Sequence, residues 1–430
     1  MRVLRYTSRT YRSQIAKLDR RAAPSDAVRN TVTEILAGVE KDGDKALIGF
    51  AKKFDRAVLT AKTLRVSKDE LAVAKKQVDA ATKKLLKASH DNVLEFARKS
   101  LRKDWSGTNA QGASVGEIYQ GFERVGCYIP GGSAPLVSTA IMTCTLAKAA
   151  GCPEIVACTP CGPDGTVHPA LLCALTLAGA TEIYKVGGAQ AIAAMAYGTK
   201  SIAPVVKVFG PGNQFVVEAK RQVFGTVAVD LLPGPSEVLV VADKTGRADF
   251  IAADLLAQAE HGGDSGIGFV TDSETLLEDV QAEIKRQVKE LSRQDQLQAV
   301  LKAGAFLILA ESMDEAIDIC NAYSPEHVTL IAKRENTLMA KIRTAGAIFL
   351  GNLSPVAVGD FLAGPSHELP TGGAGKSFPG LTVDQFQRRT SIVRLDQASI
   401  GKSAPIVDAF ARIEGLDAHA RSVTIRVEGS

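Results

Sequence analysis

The sequence lacks any uninterrupted apolar run of about 18 residues, the length that a membrane-spanning helix requires, so no segment is predicted to cross a bilayer. It also lacks a large excess of either charge, because 51 basic residues face 47 acidic ones. That balance gives no strong basic field, so no nucleic-acid partner is expected. Apolar residues make up 46% and charged residues 23% of the chain, which is typical of a globular protein.

Cysteine is sparse and odd in number, with seven residues in 430. No apolar signal-peptide segment opens the chain, and several cysteines stand in apolar runs where a free thiol acts as a small hydrophobic group. We therefore expect a reducing, cytoplasmic location. The basic first residues also permit a transit peptide, although they run directly into a patterned helix, which favours a folded arm. Cys158 and Cys161 have the spacing of a zinc or redox pair, but a turn follows them, which favours structural thiols.

The hydrophobic pattern predicts an α/β fold with parallel sheets. Residues 26–102 have apolar positions at helical spacing, and from about residue 123 short β-rich runs alternate with glycine turns and apolar helices. Such alternation is typical of parallel strands joined by right-handed crossovers. Two alternating blocks are visible, roughly 123–236 and 237–380. The tail from residue 381 is predicted to be polar and helical with a final β-like run, Ser422–Val427, and to pack on the body or on another subunit.

Two glycine-rich segments resemble phosphate loops. Gly210-Pro-Gly-Asn213 lies between a predicted strand and helix, where backbone N–H groups receive phosphate, and Asp230 lies about twenty residues on, where a ribose-binding acid belongs. Because Phe215 replaces the third glycine of the dinucleotide motif, a tight structural turn fits as well. Residues 372–377 resemble half a P-loop, but Pro370 occupies the first glycine position, so a mobile glycine loop is the better interpretation.

Four of the six histidines stand in polar surroundings. Gln258 and His261 are three residues apart at a helix end and can share a cation, although a simple C-terminal histidine fits the same pattern. Glu326 and His327 offer two bases of different pKa before a buried strand, or else a surface turn. Asp360 and His367 lie in a loop after a strand, His419 lies in the tail, and His90 and His168 are expected at the surface.

Together these segments resemble the histidinol dehydrogenase family. The resemblance extends in order and spacing from about residue 20 to the end, although the first 100 residues match only in pattern. Val328 and Glu368 differ from the residues that the family usually has at these positions, but neither residue type alters the implied chemistry. The motifs that carry the resemblance are Val125–Gly132, Val186–Gln190, Phe209–Asn213, Gly234–Val238, Gln258–His261, Glu326-His327, Gly359-Asp360, His367–Thr371 and Glu414–His419.

The resemblance implies two incomplete Rossmann-like domains in an intertwined homodimer. Residues 1–24 would form an N-terminal arm, 25–126 with 237–380 the first domain, 127–236 the second, and 381–430 a dimerisation tail. One Zn²⁺ per subunit would be held by Gln258, His261, Asp360 and His419, the last from the partner's tail. NAD would contact Tyr128, Gln190 and Asn213. The substrate would contact Ser236, Gln258, His261, His327, Asp360, His367, Glu414 and His419.

The implied reaction is the four-electron oxidation of L-histidinol to L-histidine through L-histidinaldehyde, with two NAD, as the last step of histidine biosynthesis. His327, expected to titrate near neutrality, suits removal of the hydroxyl proton while hydride leaves. Glu326 suits activation of the water that adds to the aldehyde before the second hydride leaves.

Three rival functions remain open from the sequence. A relative on the same scaffold oxidises dihydroxypropanesulfonate, although the turn after Tyr128 and the presence of Glu414 favour histidinol. A metal-binding protein without catalysis would not need every catalytic residue type that is present here. An aldehyde dehydrogenase would need a cysteine nucleophile, and no cysteine has a base near it in sequence.

Overall fold

The structure, a computed structural model, describes residues 1–19, 25–131, 135–262 and 265–428. Residues 20–24 of the predicted arm, Gly132 of the first glycine motif and Gly263 after His261 lie outside these ranges. Within them, no helix combines the length and apolar character needed to traverse a membrane.

Fourteen strands are present in the described ranges, and eleven of them form two parallel sheets. The strands are β1 Arg2–Arg5, β2 Trp105–Thr108, β3 Ser114–Gly121, β4 Arg124–Tyr128, β5 Glu154–Thr159, β6 Glu182–Lys185, β7 Lys207–Phe209, β8 Ala228–Val229, β9 Glu237–Ala242, β10 Gly266–Thr271, β11 Ala305–Leu309, β12 His327–Ile331, β13 Ala347–Leu350 and β14 Gln387–Arg394.

The α-helices surround the sheets and connect their strands. They are α1 Tyr11–Ile15, α2 Asp26–Asp42, α3 Asp44–Phe50, α4 Lys68–Gln77, α5 Ala80–Ser100, α6 Val137–Ala149, α7 Pro169–Ala178, α8 Gly188–Tyr197, α9 Gln214–Val223, α10 Ala248–Ala259, α11 Glu274–Gln287, α12 Gln294–Ala303, α13 Met313–Tyr323, α14 Glu335–Met339, α15 Val356–Phe361, α16 Gln397–Glu414 and α17 Asp417–Glu428.

Both parallel sheets reverse their strand order once. The five-stranded sheet has the order β6-β5-β4-β7-β8, and the six-stranded sheet has the order β1-β11-β10-β9-β12-β13. Each order turns back at one point, between β4 and β7 and between β9 and β12. A crevice opens at such a reversal, and α/β proteins place ligands there. The predicted α/β class with parallel sheets is confirmed.

Helices cover both faces of each sheet, so the strands are buried and read as apolar runs. In the six-stranded sheet, alternate residues of β9 face opposite cores: Val238 and Val240 pack with α10–α12, whereas Leu239 and Val241 pack with α1 and α13. The sequence places residues 25–126 with 237–380. In the structure, α2, α4 and α5 instead pack on α6–α9 and share a core with the five-stranded sheet.

The two ends of the chain compare differently with the sequence expectation. The start of the arm is folded, since β1 pairs in parallel with β11 at the edge of the six-stranded sheet. The predicted β-like run Ser422–Val427 is wrong, since it lies within α17. Its alternation of apolar and polar residues fits a strand, but α17 packs against α16 and has no neighbouring strand to pair with. The tail strand β14 pairs instead with β3, in an antiparallel three-stranded sheet with β2.

Candidate active site

A cavity of about 330 Å³ lies between the two parallel sheets. It is bounded by the carboxyl ends of β4, β7 and β8 and by the amino ends of β9 and β12. The carboxyl-end crevice of the five-stranded sheet therefore meets the amino ends of the two strands between which the six-stranded sheet reverses. Of the residues predicted from the sequence, those in its wall are Asn213, Ser236, Gln258, His261, Glu326, His327, Asp360 and His367.

Glu326 and His327 are held in the cavity wall by the backbone of one residue, Glu237. The Glu237 N–H donates to Glu326 Oε2 at 2.7 Å, and His327 Nδ1 lies 3.0 Å from the Glu237 carbonyl oxygen. Because a carbonyl only accepts, Nδ1 carries a proton and Nε2 faces the cavity. Nε2 lies 3.5 Å from Asp360 Oδ1. The structure thus orients the imidazole with its reactive nitrogen toward the open space.

The charge state of His327 differs from the expectation of titration near neutrality. Burial alone lowers the pKa of the imidazole, but the carboxylates of Glu326 and Asp360 more than offset it and raise the pKa to about 10. His327 is therefore an imidazolium in this structure at neutral pH. Its use as a base depends on a change at one of these carboxylates.

Asp360 occupies the last turn of α15 rather than a loop, and its side chain is 19% exposed. Burial raises the pKa of this carboxyl, but His327, together with His367 and His261, holds it below the ordinary value. His367 Nδ1 lies 3.0 Å from the Asp360 carbonyl oxygen, and His367 Nε2 lies 3.1 Å from Thr139 Oγ1. Burial lowers the pKa of His367, although Asp360 opposes this. Both ring nitrogens of His367 therefore have partners.

The predicted metal ligands are only partly gathered within one chain. Gln258 is 5% exposed at the end of α10, and its Nε2 has no hydrogen-bond partner within the described part of the chain. A buried amide without a full set of partners is costly, so Gln258 fits a site that a ligand completes. In the described ranges, no group of three His, Cys, Asp or Glu side chains is placed to hold an ion. Gln258, His261 and Asp360 line the cavity, whereas His419 does not.

The donor set nevertheless suits zinc. An imidazole and a carboxylate, with an amide oxygen beside them, leave positions for further ligands, as in catalytic rather than structural zinc sites. Glu414 and His419 are exposed, and neither lines the cavity of its own chain. They therefore do not fill those positions within one chain. Within one chain, three of the four predicted ligands line the cavity and the fourth does not.

The glycine turn after β7 forms the opposite wall. Asn213 caps α9 by accepting from the N–H groups of Phe215 and Val216, at 3.0 and 3.2 Å. Gly210 has φ +115, and an added Cβ there would lie 2.1 Å from the Tyr128 carbonyl oxygen. The turn thus requires glycine and presents a helix N-terminus to the cavity.

Asp230 does not have the ribose-binding role that its sequence position suggested. Its buried carboxylate forms an ion pair with Lys220 and accepts from the Gly210 N–H at 2.8 Å and the Leu231 N–H at 2.6 Å. Lys220 Nζ also donates to the Gly210 carbonyl oxygen at 2.8 Å. These bonds anchor the glycine turn, so Asp230 acts on the backbone of its own chain.

Tyr128 and Gln190 lie behind the cavity wall rather than in it. The Tyr128 hydroxyl accepts from the Gly188 N–H at 3.0 Å, and burial raises its pKa to about 12. Gln190 is 3% exposed in the first turn of α8. Both residues adjoin the Gly187-Gly188 turn at the carboxyl end of β6, one strand away from the cavity.

Sequence reasoning missed several residues that shape the site. Lys220, Thr139 and Thr143 carried no motif signal, and Glu237, although it stands within the motif Gly234–Val238, was given no role, because these roles depend on partners more than 80 residues away or on helix positions. Of the remaining histidines, His168 is exposed as expected and caps α7, whereas the side chain of His90 is only 14% exposed. The glycine loop contains a short 3₁₀ turn, Ala374–Lys376, and the Gly372 N–H donates to Glu237 Oε1 at 3.2 Å.

No cysteine among the described residues lines the cavity. Burial raises the pKa of Cys158 to about 12 and that of Cys161 to about 11, so both thiols stay protonated at neutral pH. All seven cysteines are free, as expected for structural thiols. The structure therefore offers no thiolate nucleophile for aldehyde dehydrogenase chemistry.

Comparison with known proteins agrees with the motifs. A family model described as histidinol dehydrogenase matches residues 18–427. The chain is 42% identical to a histidinol dehydrogenase of Heliobacterium mobile over 92% of its own length and 93% of the relative's, and 41% identical to one of Bacillus subtilis over 94% of each. The crystal structure of a histidinol dehydrogenase from Elizabethkingia anophelis superposes with a TM-score of 0.94 at 35% identity, covering 100% of this chain and 98% of that one.

Proposed function

Because the chain belongs to the histidinol dehydrogenase family, we propose that it oxidises L-histidinol to L-histidine through L-histidinaldehyde, reducing two NAD, as the last step of histidine biosynthesis. The observation that carries this proposal is the Glu326-His327 pair, which lines one cavity together with Gln258, His261 and Asp360. Two bases beside a set of metal-binding groups suit two successive oxidations of one bound alcohol.

His327 would remove the hydroxyl proton in the first oxidation. Its Nε2 faces the cavity and its Nδ1 is fixed on Glu237, so the ring can accept a proton without reorienting. With Zn²⁺ held by Gln258, His261, Asp360 and the partner's tail, the substrate's amine and imidazole nitrogens would be fixed and Asp360 would be engaged, which removes one of the groups that keep His327 protonated. Glu326 lies on the same wall and would orient the water that adds to the aldehyde.

The dinucleotide would occupy the glycine-turn side of the cavity. The Asn213-capped N-terminus of α9 faces this side, and the Lys220–Asp230 pair holds the turn in place. Tyr128 and Gln190 would contact NAD at the neighbouring Gly187-Gly188 turn. Hydride would then pass from the substrate, on the Asp360 side, to NAD on the opposite wall.

A second copy of the chain would complete the site. The tail helices expose large apolar side chains, with Phe410 61%, Ile413 81% and Leu416 38% exposed. Beside Asp360 a second cavity of about 410 Å³ opens between residues such as Leu353 and Val358, which are 86% and 46% exposed. Docking the partner's tail on this apolar surface would bury both patches and bring the partner's Glu414 and His419 toward the substrate.

The test of the reaction is NADH formation from limiting L-histidinol, with and without a zinc chelator. We expect two NADH for each L-histidinol, loss of turnover on chelation and its recovery with Zn²⁺. No NADH from zinc-loaded protein would contradict the proposal. Dihydroxypropanesulfonate is the comparison substrate. If the protein oxidises it and does not oxidise L-histidinol, then dihydroxypropanesulfonate is the substrate instead.

The test of the shared site is complementation between inactive subunits. His419→Ala removes a tail ligand and His327→Ala removes the base, so each homodimer should be inactive. If the tail acts across the dimer, a mixed dimer holds one complete site and about a quarter of wild-type activity should return in an equimolar mixture. Verified mixed dimers without activity would show that each tail serves its own chain.

A further inference from the structure

Glu368 is a carboxyl group in the cavity wall that neither the proposed chemistry nor the metal site uses. Glu368 is only 4% exposed. One carboxyl oxygen is hydrogen-bonded to Thr143 Oγ1 on α6, and the other, Oε2, has no partner in the residues that the structure describes. A buried carboxylate with a single neutral partner is expensive, whereas a buried carboxylic acid is not.

The hydrogen bonds of Thr143 indicate whether Glu368 is a carboxylate or a neutral acid. Thr143 Oγ1 lies 2.8 Å from the Thr139 carbonyl oxygen, which can only accept. The Thr143 hydroxyl has one proton, and this bond uses it. The contact between Thr143 and Glu368 then needs a proton from Glu368. Both hydrogen bonds of Thr143 are satisfied together only when Glu368 is a neutral acid.

The chain of bonds ends at His367. Three residues on one face of α6 hold the segment Ser366–Glu368: Thr139 Oγ1 contacts His367 Nε2 at 3.1 Å, Met142 Sδ accepts from the His367 N–H at 3.4 Å, and Thr143 binds Glu368. These positions are three and four residues apart, so they lie on adjacent turns. The Glu368 carbonyl oxygen also accepts from the Leu381 N–H at 2.8 Å, so the Thr143 contact sets the position of the Glu368 side chain and, through it, the fit of the adjoining His367 on α6.

The charged groups around Glu368 agree with the neutral form. Burial is the largest cause and Asp230 adds to it, so that the pKa of Glu368 rises to about 8; Lys220 opposes the rise, as would a Thr143 hydroxyl turned from Thr139 toward the ionised carboxylate. Lys220 is already paired with Asp230. Cys127 also lies near this carboxyl, and its own pKa is raised well above the ordinary value, so its thiol stays neutral.

We propose that Glu368 is held as a neutral carboxylic acid whose proton is donated to Thr143, and that this bond fixes the Ser366–Glu368 segment on α6 and positions His367 toward the substrate. The positioning of substrate rests on the proposed function, but the protonation state does not. Ionisation of Glu368 above about pH 8 would turn the Thr143 hydroxyl from the Thr139 carbonyl oxygen to the carboxylate and leave a buried charge with a single neutral partner, a cost that would displace the segment.

Infrared difference spectra of wild type against Glu368→Gln test the protonation state without any turnover. We expect a protonated carboxyl C=O band at pH 7 that disappears as the pH rises through about 8. A carboxylate band at pH 7 would overturn the proposal, whatever the enzyme's activity. If the protonated band is present but zinc-loaded protein makes no NADH from L-histidinol, the proposed function fails and the neutral acid stands.

Kinetics and ¹⁵N-histidine NMR test the positioning. The wild-type KM for L-histidinol should rise above about pH 8 while that of Glu368→Gln stays flat, because the amide remains a neutral donor. Thr143→Val should raise KM about five- to tenfold at pH 7 and shift the His367 ring signals. Thr145→Val is the matched control: Thr145 is equally buried on the same helix, and its hydroxyl has no partner in the described ranges. Equal effects of the two valine variants, or unchanged His367 signals in Thr143→Val, would overturn the positioning role.

Discussion

At the residue scale, neighbouring carboxyl groups are driven to opposite charge states by their partners. Asp360 stays ionised because the imidazole of His327 faces it, whereas Glu368 is neutral because it is buried and Asp230 lies nearby. Glu326 differs from both, since the Glu237 N–H binds its carboxylate directly. Residue type alone therefore does not determine which acid is available for chemistry.

Replacement of Glu326 by Gln separates its role from that of His327. The amide oxygen of Gln can still accept from the Glu237 N–H, so the fold should be kept. Without a carboxylate to orient water, the second oxidation should slow by about 10²-fold or more, and NADH should approach one per L-histidinol. The measurement is the NADH yield in a single turnover, with an aldehyde trap present. A variant that still yields two NADH at the wild-type rate would show that Glu326 does not orient the water that adds to the aldehyde.

Glu368 should also make stability depend on pH. Its pKa is raised in the folded state, so the folded chain binds more protons than the unfolded chain between the ordinary glutamate range and about pH 8. Stability should be fully present below about pH 4.5 and fall as the pH rises to about 8, by up to ~1.4 kcal/mol per pH unit. Urea unfolding of wild type and Glu368→Gln checks this. Parallel stability curves for the two proteins across that window would contradict it.

At the element scale, the sequence predicts what is local and misses what is distant. Buried parallel strands read as apolar runs, and β9, Glu237–Ala242, is confirmed residue for residue. The strands β2 and β14 escaped prediction because they are largely exposed and polar, and β3 because it is only partly buried; β14 pairs with β3 across more than 250 residues. The candidate residues at the sheet edges were found from motifs, whereas the bonds of Glu237, Lys220 and Thr143 required the folded chain.

The turn after β7 offers a test of how backbone shape makes the site. Gly210 and Gly225 both have positive φ, +115 and +106, but only Gly210 has backbone within reach of an added Cβ. Gly225→Ala should cost about 1–2 kcal/mol of unfolding free energy from strain alone. Gly210→Ala should cost more and should raise the KM for NAD about tenfold or more, since the turn must move away from Tyr128. Equal effects of both variants on NAD binding would show that the turn is not part of the dinucleotide site.

At the scale of the whole molecule, the tail helices α16 and α17 bury few of their own side chains. Helix α17 has no buried residue, and α16 buries only Ser399, Ala404 and Ala411. Helices usually gain their stability from packing an apolar face, and here much of that face is exposed. The same segment carries Glu414 and His419, whose roles stay a prediction. Assembly and catalysis should therefore be lost together.

Ile413→Asp tests that link against Val58→Asp. Both side chains are 81% exposed, but Ile413 lies in the apolar surface of α16 and Val58 lies outside the tail and the cavity wall. A charge in a buried dimer interface costs several kcal/mol, so Ile413→Asp should sediment as a monomer and lose activity that Zn²⁺ does not restore. Val58→Asp should remain dimeric and active. A monomeric Ile413→Asp with full activity would mean that one chain completes its own site, and the partner's tail would then have no part in the chemistry.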